Sequence, residues 1–344
     1  MNTLLPMTDT SIPLPVSVLL PTYNCRAYLP AHLEAMRKWT GLVEEIVVVD
    51  SFSDDGTMEL LKEQLSLPNV RFHNHPRGLY QSWNFGISQI SAKYAYISTV
   101  GDVITPEGLQ HLAAVAEQFQ ADVTLSPPRF VASNGQIATD AHWPIQDLIQ
   151  WQNITRPAAV SSIHAFLMSV LSMPQGILGS SASNLYRTGL LKTRPFPTSF
   201  GHAGDTAWSL QHALETRFAI TPSAVSQFLL HPKESIPDPD QEERLFKSFF
   251  DLALAAGRTS DPARLLPVLE NLRAEIEELQ ARQHLYRRRR KNPWWPWIFR
   301  VTGWLRRGRR NWQRNKVRRM KAEIRACYGL TPGPSKTSGI TRPA

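Results

Sequence analysis

Short runs of consecutive apolar residues alternate along this chain with stretches whose apolar positions recur every three or four residues. P-V-S-V-L-L-P-T-Y-N opens the pattern, with Val16 to Leu20 reading as a strand that ends at Pro21. Arg26 to Trp39 reads as a helix, with Leu29, Leu33, Met36 and Trp39 along one face. E-E-I-V-V-V-D is a near-continuous apolar run, as expected of a parallel strand covered on both faces. The turn S-F-S-D-D-G then leads into a helix from Thr57 to Leu65. N-V-R-F-H predicts a strand, Leu79 to Ile90 a helix, Tyr94 to Ile97 a strand, and Pro106 to about Gln118 a helix before the strand A-D-V-T-L. This alternation predicts a doubly wound, mostly parallel α/β sheet flanked by helices.

From Ser126 to Phe200 the signals are mixed, and the pattern assigns no elements. Asp205 to Thr216 reads as helical, and R-F-A-I-T-P-S-A-V-S-Q-F-L-L-H contains two strand-like pieces. I-P-D-P-D at 236–240 marks a boundary, beyond which the chain reads as helical. Leu265, Leu269, Leu272, Ile276, Leu279 and Tyr286 fall at heptad-like positions. So few heptads favour a helix packed on its own domain, with an oligomer through 261–286 as the alternative.

Charge changes this picture. The net charge of +9 conceals an uneven distribution, since residues 282–321 hold 16 Lys and Arg and no Asp or Glu. The remainder has 22 Lys and Arg against 29 Asp and Glu, so a mildly acidic body carries a basic tail suited to a polyanionic partner. With 42% apolar residues the chain can bury a sizeable core. Its two cysteines, Cys25 and Cys327, form no metal-type pair and argue for a reducing compartment. Neither a signal peptide nor a spanning helix is read from the sequence.

Four polar segments stand at predicted strand ends or in the loops beside them: P-T-Y-N (21–24), V-D-S-F-S-D-D-G-T (49–57), V-G-D (100–102) and H-A-G-D (202–205). A parallel sheet gathers its strand C-termini on one edge, so remote residues can line one crevice. Taken alone, each carboxylate reads first as a cap or a turn residue; Asp54 or Asp55 would most simply start the helix near Gly56.

The ordered set resembles the family 2 glycosyltransferases of the GT-A nucleotide-diphospho-sugar fold, over roughly residues 15–235. The resemblance rests on V-S-V-L-L-P-T-Y-N, I-V-V-V-D-S-F-S-D-D-G-T, G-L-Y-Q-S-W-N-F-G-I, the strand ending in G-D, G-D-T-A-W-S-L, and F-L-L-H-P-K-E-S. Its third block is similar to a subgroup reading G-I-Y-D-A-M-N-K-G-I and then N-x-G-D. Thr99, Val100 and Gly101 stand where most members carry a further acid, and only Asp102 remains.

The resemblance implies a hexosyltransferase-type enzyme that moves a sugar, with inversion, from a UDP-sugar donor to a glycan or lipid-linked acceptor in surface polysaccharide synthesis. Pro21, Thr22, Asp50 and Arg77 would then hold the nucleotide. Asp102, together with His231, would hold Mg²⁺ or Mn²⁺, which takes its other ligands from diphosphate oxygens and water. Asp205 would be the general base, although Gly204 replaces the acidic neighbour usual in the family; its rival reading is a helix cap. Trp83 and Trp208 read as core residues before sugar platforms.

The implied organisation is a flexible 1–14, a GT-A domain at 15–235, a helical extension at 236–286, a basic Trp/Arg-rich amphipathic tail at 287–325 and a disordered 326–344. Trp294, Trp295, Trp297 and Trp304 among arginines suit an interfacial anchor on an anionic membrane through 287–321, placing the protein on the cytoplasmic face. Nucleic acid is the competing partner for this tail. A catalytically degenerate scaffold is the alternative for the whole chain.

Overall fold

The computed structural model describes residues 13–132, 135–230 and 239–290. In its first part, strand and helix alternate in the expected order. These elements are β1 (Leu14–Thr22), α1 (Leu29–Arg37), β2 (Val43–Asp50), α2 (Thr57–Gln64), β3 (Val70–Asn74), α3 (Leu79–Gln89) and β4 (Tyr94–Ile97). A two-residue β5 (Val103–Ile104) precedes α4 (Pro106–Phe119) and β6 (Val123–Leu125). The unassigned stretch contains β7 (Arg129–Val131), α5 (Pro144–Trp151), β8 (Ala158–Val160), α6 (Ser162–Ser172), β9 (Asn184–Arg187) and α7 (Thr188–Thr193). After it come α8 (Gly204–His212), β10 (Phe218–Ile220), β11 (Ser226–Leu229), α9 (Pro239–Ser260) and α10 (Pro262–Arg290).

Eight strands form the main sheet in the order β3-β2-β1-β4-β9-β6-β10-β8, and β5-β11-β7 form a small second sheet. The four strands β3, β2, β1 and β4 are parallel. β9 inserts antiparallel between β4 and β6, and β8 runs antiparallel at the far edge. Helices cover both faces of the parallel half. Val16, Val18 and Leu20 join the cluster of Leu29, Leu33, Met36 and Trp39 on one side, while Leu19 and Val49 meet α3 on the other. Two-sided burial is why these strands lack a polar alternation.

Helix α1 begins three residues later than its periodicity suggests. The Arg26 N–H is given to the Asp55 carboxylate at 3.0 Å, which holds that part of the chain outside the helix, and Pro30 lies in the first turn that follows. Helix α8 also stops short, at His212, where a 3₁₀ turn over Ala213–Glu215 takes over.

The described residues fall into two compact units, within Met1–Leu252 and within Ala253–Ala344. In the second, Asp261 starts α10 by accepting the Arg264 N–H at 3.3 Å, and Leu265, Leu269 and Leu272 are buried. The side chains of Ile276, Leu279 and Tyr286 lie outside the described residues. Among the described residues no helix is long and apolar enough to cross a membrane.

Candidate active site

Thr22 and Asp50 are paired at the C-terminal ends of β1 and β2. The Thr22 hydroxyl donates to Asp50 Oδ1 at 2.8 Å, Ser53 Oγ donates to the same oxygen at 2.6 Å, and the Ser53 N–H donates to Oδ2 at 2.8 Å. Asp50 is only 1% exposed, so in this arrangement it fastens its own loop as well as facing the strand end. The two loops that follow are zipped together. Asn24 and Asp54 exchange side-chain and backbone hydrogen bonds at 2.9 and 3.1 Å, and Asp55 accepts the Thr57 N–H at the start of α2 at 3.0 Å. Gly56, at φ +83°, lies where a Cβ would approach Arg26 Nη1 to 2.5 Å. The D-D-G signature therefore has a complete structural explanation in this loop pair.

Those loops carry two aromatic side chains that the sequence reading passed over. Tyr23 is exposed beneath the Arg77 guanidinium, whose Cζ lies 4.3 Å from the ring centroid. Phe52 is 62% exposed in a left-handed backbone conformation, φ +57°. An apolar side chain in the middle of S-F-S-D-D-G was the available signal, since such turns are otherwise filled by small polar residues.

Asp102 closes a turn after β4, its N–H bonding the Thr99 carbonyl at 3.0 Å. It is 4% exposed and accepts the Leu229 N–H at 3.0 Å on Oδ1 and the Ser180 hydroxyl at 3.1 Å on Oδ2. Burial pushes its pKa up to about 7, and those two hydrogen bonds only partly oppose the shift. Among the described residues no three His, Cys, Asp or Glu groups cluster to hold a metal. Each Asp102 oxygen accepts one hydrogen bond and keeps a free lone pair. That donor set suits a hard cation taking its other ligands from a diphosphate and water, and does not suit an ion held by protein alone. His231 lies outside the described residues.

Asp205 sits in the first turn of α8, half-buried, with Oδ1 accepting the Thr206 N–H at 2.7 Å. Burial raises its pKa to about 6 against the Thr206 N–H and the Tyr80 phenol, which both favour the anion. Tyr80, in the first turn of α3, donates its hydroxyl to the His202 carbonyl at 3.3 Å. Its ring also explains the residue before Asp205. A Cβ on Gly204 would lie 2.5 Å from Tyr80 Cδ2 and 2.6 Å from the Pro197 carbonyl oxygen. No side chain fits at 204, so an acidic neighbour is sterically excluded. Gly204→Ala is accordingly expected to destabilise the fold by about 1–3 kcal/mol, read from the urea midpoint.

Asn84 holds the opposing wall, donating to the Phe196 carbonyl at 2.8 Å and accepting its N–H at 2.9 Å. Trp208 is fully buried with Nε1 on the Arg194 carbonyl, and Trp83 packs edge-on to Phe196; both are core residues, as the sequence suggested.

The deciding comparison concerns the first half of the chain. Residues 17–172 match the model of glycosyl transferase family 2. The sheet and its helices form the GT-A fold. It is shared with S. aureus TarS 1–349 in complex with UDP-GlcNAc, at 19% identity and a TM-score of 0.54 over 72% of this chain and 67% of that one. The complex of TarS 1–349 with UDP is similar at 20% identity and a TM-score of 0.49, over 71% and 73% of the two chains. No match was found among the curated proteins.

Proposed function

We propose that this chain is a glycosyltransferase that transfers a sugar, with inversion, from a UDP-sugar to a glycan or lipid-linked acceptor in surface polysaccharide synthesis. The observation that carries the reading is the parallel pairing of β2, β1 and β4, with Thr22 and Asp50 at the ends of β1 and β2 and Asp102 in the turn after β4. The family 2 match supports it over residues 17–172, and TarS, of the same fold, binds UDP-GlcNAc.

In this reading the flat nucleotide base lies against Tyr23 and Phe52. Arg77, with its five donors, faces the base or the diphosphate. Asp50 reaches the nucleoside with the lone pair left over from its three protein bonds, while Thr22 and Ser53 hold its orientation. Mg²⁺ or Mn²⁺, held by Asp102, would neutralise charge on the diphosphate. Asp205, ionised above about pH 6, takes the proton of the acceptor hydroxyl. The neighbouring Tyr80 phenol favours the anionic form of that carboxylate. The basic tail at 287–321 would hold the enzyme on the inner face of a membrane.

A panel of sugar nucleotides, assayed for transfer and hydrolysis, tests the reading. UDP is expected to bind at least tenfold more tightly with Mg²⁺ or Mn²⁺ present, and either cation alone is expected to leave the melting temperature unchanged. Absence of affinity for every nucleotide, with or without cation, would overturn the enzyme in favour of a scaffold. That second reading draws on Thr99, Val100 and Gly101 standing where acids are usual; it draws nothing from Gly204, whose replacement is steric.

A further inference from the structure

A second cleft, with a volume of about 620 Å³, lies around the small sheet, and none of Thr22, Asp50, Asp102 or Asp205 lines it. We infer that it binds a sugar-sized molecule carrying an oxyanion, a phosphate or a carboxylate. Its walls carry Arg129 on β7 and Arg156 just before β8, with Glu107 as the one carboxylate among them. Other arginines of this unit are committed elsewhere. Arg71, Arg187, Arg194 and Arg217 each pair with a carboxylate, Arg26 donates to the Gly56 carbonyl, and Arg77 covers Tyr23. Arg129 and Arg156 have no carboxylate within salt-bridge reach among the described residues.

Two unpaired guanidinium groups against one carboxylate leave the cleft cationic, and a guanidinium fork matches phosphate and carboxylate oxygens. Hydroxyls complete the lining, from Thr155 and Ser223, and Gln227 adds an amide. These groups suit sugar hydroxyls more than a flat aromatic body. His111, also on the wall, is already bonded through Nε2 to the Thr221 hydroxyl at 2.8 Å, so the two arginines carry the recognition. The size is that of an ordinary ligand pocket. Val103, which also lines the cleft, directly follows Asp102, and Gln227 pairs with both Val103 and Arg129. The cleft therefore adjoins the candidate active site without sharing its side chains, and the inference does not depend on the transferase reading.

Calorimetry on the full chain with glucose 1-phosphate, glucuronate and uncharged glucose tests this, with UDP as the control for the first site. Binding of either charged sugar at least tenfold more tightly than glucose is expected, and which one binds better identifies phosphate or carboxylate as the recognised group. Arg129→Gln with Arg156→Gln should weaken that binding by tenfold or more, because a charge-assisted hydrogen bond is lost at each position. Both arginines are exposed, so the melting temperature and the UDP affinity should stay unchanged. Equal binding of glucose and both charged sugars, no binding of any of them, undiminished affinity in the double variant, or a parallel loss of UDP binding would each overturn the proposal.

Discussion

Asp205→Asn is expected to lower kcat by 10²–10⁴-fold while leaving the donor KM within a factor of two or three. General-base assistance contributes on that scale, and an amide can accept the Thr206 N–H as the carboxylate does while being unable to take up a proton. The pH profile gives a second, independent readout. With Asp205 raised to about 6 by burial, kcat of the native protein, at saturating donor and cation, should rise through a midpoint near pH 6 and level off above it. An unshifted Asp would place that midpoint near 4. In the Asn variant the residual rate should lose this step. Native-like turnover in Asp205→Asn would remove the residue from the chemistry, and Tyr80→Phe, which keeps the ring against Gly204, would then be the natural companion variant.

The second large effect concerns stability and runs against activity. Asp102→Asn should abolish cation-dependent UDP binding yet raise the unfolding free energy at pH 8. The native carboxylate is 4% exposed with a pKa raised from 3.8 to about 7 by burial. A folded-state value above the unfolded one means that the folded protein binds the proton more tightly. The stabilising contribution is therefore complete below about pH 4 and is lost as pH rises through 7. Above that point the buried anion costs roughly 4 kcal/mol relative to its protonated form. Asparagine carries no charge, and its oxygen can still accept the Leu229 N–H. The variant should thus gain most at pH 8 and little at pH 4, which chemical denaturation at the two pH values would measure. Equal stability at both would mean that Asp102 is not held charged in a dry site. A carboxylate kept at such a cost is expected where function needs it.

Much of the parallel half was legible in the sequence for a plain reason. Val16–Leu20 and Ile46–Val49 lie between two layers of helices, and double burial writes apolar runs, broken only by Ser17, that need no partner to be recognised. The amphipathic helices between them carry their own period. Residues 126–200 were illegible because β7 and β8 have only three residues each, too few for any period to appear. α6 is buried from Ala165 to Val170, so it has no continuous polar face to announce it. The antiparallel insertion of β9 between β4 and β6 is likewise a matter of long-range pairing that N-L-Y-R cannot express locally.

The same division runs through the candidate site. Local turn chemistry marked the polar segments at strand ends and helix starts, and the resemblance to the family 2 glycosyltransferases is what singled out Pro21, Thr22, Asp50, Asp102 and Asp205 among them. Whether a given carboxylate is bonded, dry or open depends on residues that arrive from far along the chain. Thr22 reaches Asp50, Ser180 and Leu229 reach Asp102, and Tyr80 fills the space at Gly204. Asp122 illustrates the point from the opposite side: it is a buried carboxylate wholly occupied by Arg187 and Arg217. The sequence by itself determined which side chains stand at strand ends; only the tertiary structure decided their protonation and their neighbours, since desolvation and hydrogen bonding are properties of what packs around a group rather than of its place in the chain.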